Sequence, residues 1–185
     1  MKKFLIVIFY LLFVGLLTSQ DKFKIDEQEK KFIHHFFLAE KHKALEEYNK
    51  AILEYESCIK LKPNESAIFF ELGKLYFSQG FTDESLGLIK QANNINPNNI
   101  WYLYFLLEIY YQTSDYENQA LTWKKLIEID DENEIYYLEL IKTYFSSNLI
   151  KKALKEISKA QKIFKNNYEL IILKSEAFQK NNQNE

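Results

Sequence analysis

From residue 32 onward, apolar residues return every three or four positions, the spacing of helices that each lay one face on a core. Within residues 66–99, Phe69, Leu72 and Tyr76 make one such face. After a break, Leu86, Ile89 and Ala92 make a second. Gly80 stands between the two runs, where a left-handed residue ends a helix. Asn148 stands at the corresponding place further on and tolerates that conformation better than most residues. The pattern predicts a unit of helix, short turn, helix and an exit marked by proline or an Asx residue. Asp26, with Glu29 three residues later, predicts the cap of a first helix that starts before residue 32.

The unit recurs every 34 residues. Pro63 and Pro97 lie 34 apart in matching contexts, and further steps reach Asp131 and Lys165. With units starting at Phe32, Ser66, Ile100, Glu134 and Tyr168, the eleventh position reads His42, Tyr76, Tyr110, Tyr144, Phe178. The seventh reads Leu38, Leu72, Leu106, Leu140, Lys174. The twentieth reads Ala51, Ser85, Gln119, Ala153, and the twenty-seventh Cys58, Ala92, Leu126, Ala160. A helical hairpin cannot bury its apolar face alone, so such units stack, and stability becomes a sum over neighbouring interfaces. Lys174 in the leucine column predicts a capping helix whose outer face meets water.

These columns resemble the tetratricopeptide repeat family, here in an exported protein of bacterial type. The second unit carries the resemblance best, with Phe69, Leu72, Gly73, Tyr76, Ser85, Ile89, Ala92 and Pro97. The third departs from it with Leu107 at position 8 and Gln119 at position 20, both crowded helix crossings, and the fourth with Ile141 at position 8. The resemblance implies an all-α fold: a right-handed superhelix, or α-solenoid, of about four helical hairpins and a C-terminal capping helix. The repeats run 32–65, 66–99, 100–133 and 134–167, with the cap over 168–180. Residues 21–31 form a charged lead-in and 181–185 a disordered polar tail.

Ahead of the repeats, Met1-Lys2-Lys3 is followed by an uninterrupted apolar run over residues 4–17 and then by Thr18-Ser19-Gln20. This is the layout of a secretory signal peptide. A retained anchor is the rival reading, although fourteen residues at about 1.5 Å each fall short of the roughly 30 Å hydrocarbon core. Either way the expected location is exported, in the periplasm or cell envelope, with membrane contact only through residues 4–17 if that segment is kept.

Composition narrows the function. All 24 basic residues are lysine and the net charge is −2, so neither a strong positive field nor a guanidinium fork invites nucleic acid. One cysteine, Cys58, excludes an intramolecular disulfide and a Cys-rich metal site. His34, His35 and His42 lack the i, i+4 pairing of helical zinc sites, and Cys58 sits in a small-residue column. No catalytic motif is present, so the expectation is no enzyme activity, no metal and no cofactor.

The resemblance implies instead a concave face built from positions 2, 5, 6, 9 and 12 of the first helices. These are Phe70, Glu71, Lys74 and Phe77 in the second repeat. In the third they are Trp101, Tyr104, Phe105, Glu108 and Tyr111, and in the fourth Ile135, Leu138, Glu139, Lys142 and Phe145. Aromatic anchors edged by charge suit a peptide or extended partner segment. The competing reading is that some of these rings only fill gaps between helices. The family's clamp for an acidic tail is not supported, because its places hold Phe36, Glu40, Glu71, Trp101 and Phe105. The expected function is therefore a non-catalytic interaction scaffold with a protein or peptide partner. The alternative is a structural subunit of an envelope assembly or homodimer whose aromatic surface is permanently buried. The sequence leaves the oligomeric state open.

Overall fold

The structure is a computed structural model that describes residues 26–183. The expected signal segment at 1–20 and most of the lead-in lie outside the described residues. The described chain divides into two compact units, one up to Pro63 and one from Asn64.

The first unit is a single hairpin of α1 (Glu27–Ala44) and α2 (Tyr48–Leu61). Ala39, Ala51, Tyr55 and Cys58 are its buried apolar residues. Asp26 stands at the cap of α1, as the sequence suggests, but its side chain makes no capping bond; its carbonyl accepts from the Lys30 N–H at 3.0 Å. The three histidines are not gathered around a common centre. His35 Nδ1 lies 2.6 Å from the Glu54 carboxylate and His42 Nδ1 lies 2.5 Å from Glu47, so each is tied to its own carboxylate. The Tyr55 hydroxyl donates to Glu40. Burial, reinforced by that carboxylate, raises the Tyr55 pKa. Burial also pushes the Cys58 thiol up to about 11, which leaves little thiolate near neutrality and makes it a packing residue.

The second unit holds three hairpins and a last helix. They are α3 (Ser66–Ser78) with α4 (Thr82–Ile95), α5 (Ile100–Gln112) with α6 (Tyr116–Ile129), α7 (Glu134–Ser146) with α8 (Ile150–Ile163), and α9 (Tyr168–Gln183). One continuous core runs through them, with Ile89, Ile109, Leu126, Tyr137, Leu140, Ile141 and Ile157 at its centre.

The turns explain why the helices stop where they do. Glu46, Gly80, Ser114 and Asn148, spaced by the repeat period, all have positive φ, between 55° and 83°. In each case the next residue's N–H returns to the carbonyl of position 11. Phe81 bonds Tyr76 at 3.0 Å, Asp115 bonds Tyr110 at 2.9 Å and Leu149 bonds Tyr144 at 2.8 Å. This closes the helix end with a left-handed cap. Gly80 and Asn148 were legible as such caps; Glu46 and Ser114 hold the same conformation without a residue type that advertises it. Restarts are also periodic. Asn99, Asn133 and Asn167 accept from the N–H of Trp101, Ile135 and Leu170 at 3.0, 3.2 and 2.9 Å, satisfying donors that the helix cannot.

Three expectations need adjustment. Leu107 and Gln119, large residues at a crossing that favours small ones, are both buried without disturbing the helices; Gln119 Nε2 donates to the Tyr110 carbonyl at 2.9 Å. By contrast, a Cβ on Gly73 would come within 2.6 Å of Ile89 Cδ1, so the second repeat does need its small residue. At the C-terminal end, α9 continues to Gln183, past the expected end at 180, so residues 181–183 are helix and not a loose tail; Asn181 is half-buried. Lys174 is half-buried and not on the open side of the helix. Its Nζ donates to Gln161 on α8 at 3.0 Å, and the open side of α9 carries Ile171, Ile172 and Phe178 instead.

Candidate partner-binding face

All fourteen residues expected on the partner-binding face fall within the second unit, on α3, α5 and α7. The 3.6-residue period puts positions 2, 5, 9 and 12 of each first helix on one side, opposite the positions that meet the second helices.

The rings interlock across neighbouring first helices. Phe105 on α5 stands edge-on to Phe70 at 5.6 Å and to Phe77 at 5.3 Å, both on α3. Trp101 stands edge-on to Tyr104 at 6.3 Å. The hydroxyls of Tyr104 and Tyr136 share a hydrogen bond of 2.7 Å between α5 and α7. Burial and that bond push the Tyr136 phenol up to about 12. The Tyr111 hydroxyl donates to Glu139 at 3.2 Å, and burial beside that carboxylate holds its pKa above the ordinary value.

The structure therefore sorts the expected residues into four groups. Phe70, Phe77, Tyr104, Phe105 and Phe145 are half-buried rings packed against the core. Trp101, Ile135 and Tyr111 stand out at 67%, 62% and 47% exposure, with Glu108 and Lys142 also exposed. Leu138 is a correction: at 7% exposure it belongs to the core, because α7 turns position 5 inward. Glu71, Lys74 and Glu139 are partly exposed and engaged in pairs along their helices.

Sequence reasoning stopped one helix short. Lys142 bridges to Glu169 of α9 at 3.1 Å, and Lys180 of α9 lies over the Phe145 ring at 5.1 Å. Carrying the repeat period into residues 168–180 would have put Glu169 and Ile172 at positions 2 and 5 of the same face. Tyr136, at position 3, lay outside the family positions and had no signal of its own.

On the second-helix side, a cleft of about 370 Å³ is lined by Tyr116, Leu121, Lys124, Tyr144 and Lys152. Both lysines hover over the Tyr144 ring, at 5.7 and 5.9 Å, which accounts for them structurally. Among the described residues no cluster of His, Cys, Asp or Glu could hold a metal ion, and no helix is long and apolar enough to cross a membrane.

Paired helices on a 34-residue period, closed by one recurring turn, define a helical-repeat protein. Residues 41–80 match a family model described as TPR repeat. The chain is similar to the MamA protein structure, at 18% identity and a TM-score of 0.58, covering 82% of this chain and 88% of that one. It is also similar to YrrB, described as a TPR protein with an unusual peptide-binding site, at 12% identity and a TM-score of 0.56, covering 83% and 89%. Superkiller protein 3 of Schizosaccharomyces pombe is 23% identical over 128 residues, and the chain spans 9% of that protein's length. The described chain has an all-α helical-repeat fold of the solenoid class, with a tetratricopeptide repeat matched over residues 41–80.

Proposed function

We propose that the protein is a non-catalytic scaffold of the cell envelope that docks a peptide or extended segment of a protein partner on the first-helix face of α3, α5, α7 and α9. The observation that carries this reading is Trp101. A large ring left 67% exposed, on a face that also carries half-exposed Tyr111 and exposed Ile135 among charged residues, offers an apolar anchor. The half-buried rings beneath fix its geometry, so little order is lost on docking. YrrB, of like fold, is described with a peptide-binding site, which supports the general mode.

The envelope part rests on the layout of residues 1–20. Mass analysis of the protein from an exported fraction is expected to show loss of the first 19 or 20 residues. An intact Met1 in a membrane pellet that resists alkaline extraction would make the segment an anchor.

The exposed Ile171 and Phe178 on α9 favour a second reading, a subunit whose apolar surface is permanently covered. Their counterparts in the preceding hairpin, Tyr137 and Tyr144, are buried. Sedimentation separates the readings. A docking scaffold expressed from residue 21 is monomeric at micromolar concentration, whereas a permanent subunit self-associates or precipitates.

A further inference from the structure

On α3 and α7 the docking face carries a glutamate and a lysine that close on each other. Glu71 meets Lys74 at 2.8 Å, and Glu139 meets Lys142 at 3.0 Å. The α5 helix between them breaks this pattern: Phe105 stands where the glutamates stand, and Glu108 where the lysines stand. Glu108 is exposed and has no ion pair or hydrogen bond among the described residues. The lysines of α3 and α7 are already engaged, Lys142 by both Glu139 and Glu169. One turn before Glu108 on its own helix lie Tyr104 and Phe105, and one turn after it lies Tyr111. The centre of the face is thus an unpaired carboxylate between aromatic rings.

We infer that Glu108 receives a lysine or arginine side chain of the docked segment, with Tyr104 and Tyr111 flanking the cation and Trp101 taking an apolar residue beside it. This rests on the docking face proposed above and names the chemistry of its partner. A carboxylate attracts the cation, and ring faces add to the attraction once water is partly excluded. An acidic segment meets Glu108 with repulsion and finds no unengaged lysine on α3 or α7. Trp101 and Glu108 are seven residues apart on one helix, roughly 10 Å along its axis. A segment in the polyproline II conformation covers about 9 Å in three residues and brings its side chains back to the same side. The partner segment therefore carries a large apolar residue and a basic residue three positions apart.

The test uses the mature protein and three fluorescein-labelled peptides that share one leucine and differ only three residues on, where they carry arginine, glutamine or glutamate. The arginine peptide is expected to bind about tenfold tighter than the glutamate peptide, a preference that shrinks as salt rises. Glu108→Gln is expected to bring the three within about twofold of one another. Equal binding of the three peptides, or a preference that survives Glu108→Gln, overturns the cation site. If Trp101→Ala still weakens that uniform binding, the docking face stands without it. Failure of all three to bind overturns both.

Discussion

Replacing Tyr137 by alanine is expected to cost roughly 3–5 kcal/mol of folding stability, the largest single-residue loss anticipated for this protein. Tyr137 lies on α7 at 1% exposure. Its ring stands edge-on to Phe164 at 5.4 Å, and Lys159 Nζ lies 5.5 Å from its centre. Truncation therefore leaves a ring-sized cavity where α7 meets the end of α8, and interlocked helices cannot collapse fully to fill it. Tyr137→Phe is expected to change stability by less than about 1 kcal/mol, because it keeps the ring volume. Urea unfolding of the two variants gives the comparison. Since repeat stability is a sum over neighbouring interfaces, amide exchange in α8 and α9 should quicken more than in α3 and α4. An alanine variant as stable as the parent would remove Tyr137 from the core and discredit the packing of the fourth hairpin.

The second large effect is on binding. Trp101→Ala is expected to weaken partner binding by about 2 kcal/mol or more, near thirtyfold, as for a central interface anchor. The same change should move folding stability by no more than about 0.5 kcal/mol, because an exposed side chain takes little buried area with it. Its ring neighbour among the described residues, Tyr104, keeps its hydroxyl contact with Tyr136 after the truncation. Loss of stability with unchanged affinity would make Trp101 a packing residue. Phe105 offers the contrast: it is wedged between Phe70 and Phe77, so its truncation should lower both quantities together.

The period made much of the fold legible. A column of leucines and a column of tyrosines 34 residues apart fix which side of each helix meets the next, and the helices begin at Ser66, Ile100, Glu134 and Tyr168. Turns were legible only where the residue type states the conformation, as with Gly80 and Asn148. Glu46 and Ser114 adopt the same left-handed geometry because the flanking helices impose it. Gln119 was readable as a misfit but not as a bonded one, since its partner is a backbone carbonyl that no side-chain pattern records. For the candidate face, position along the helix predicted which residues lie on one side. It did not predict depth: Leu138 and Trp101 are both face positions, and one is core while the other stands in solvent. Depth depends on what the adjacent helix offers, as with Tyr136 reaching across to Tyr104, and this is a property of pairs of helices.

The claim that the first-helix face docks the partner is tested most directly by site-specific photocross-linking in the cells that make the protein. An aromatic photoreactive residue, benzoylphenylalanine, which keeps a ring at the anchor, would be placed at position 101 on this face, or at position 155 on the opposite, second-helix side. The account predicts a discrete partner adduct from position 101 that Glu108→Lys abolishes, with none from position 155. Adducts from position 155 alone, or equally from both, would contradict it.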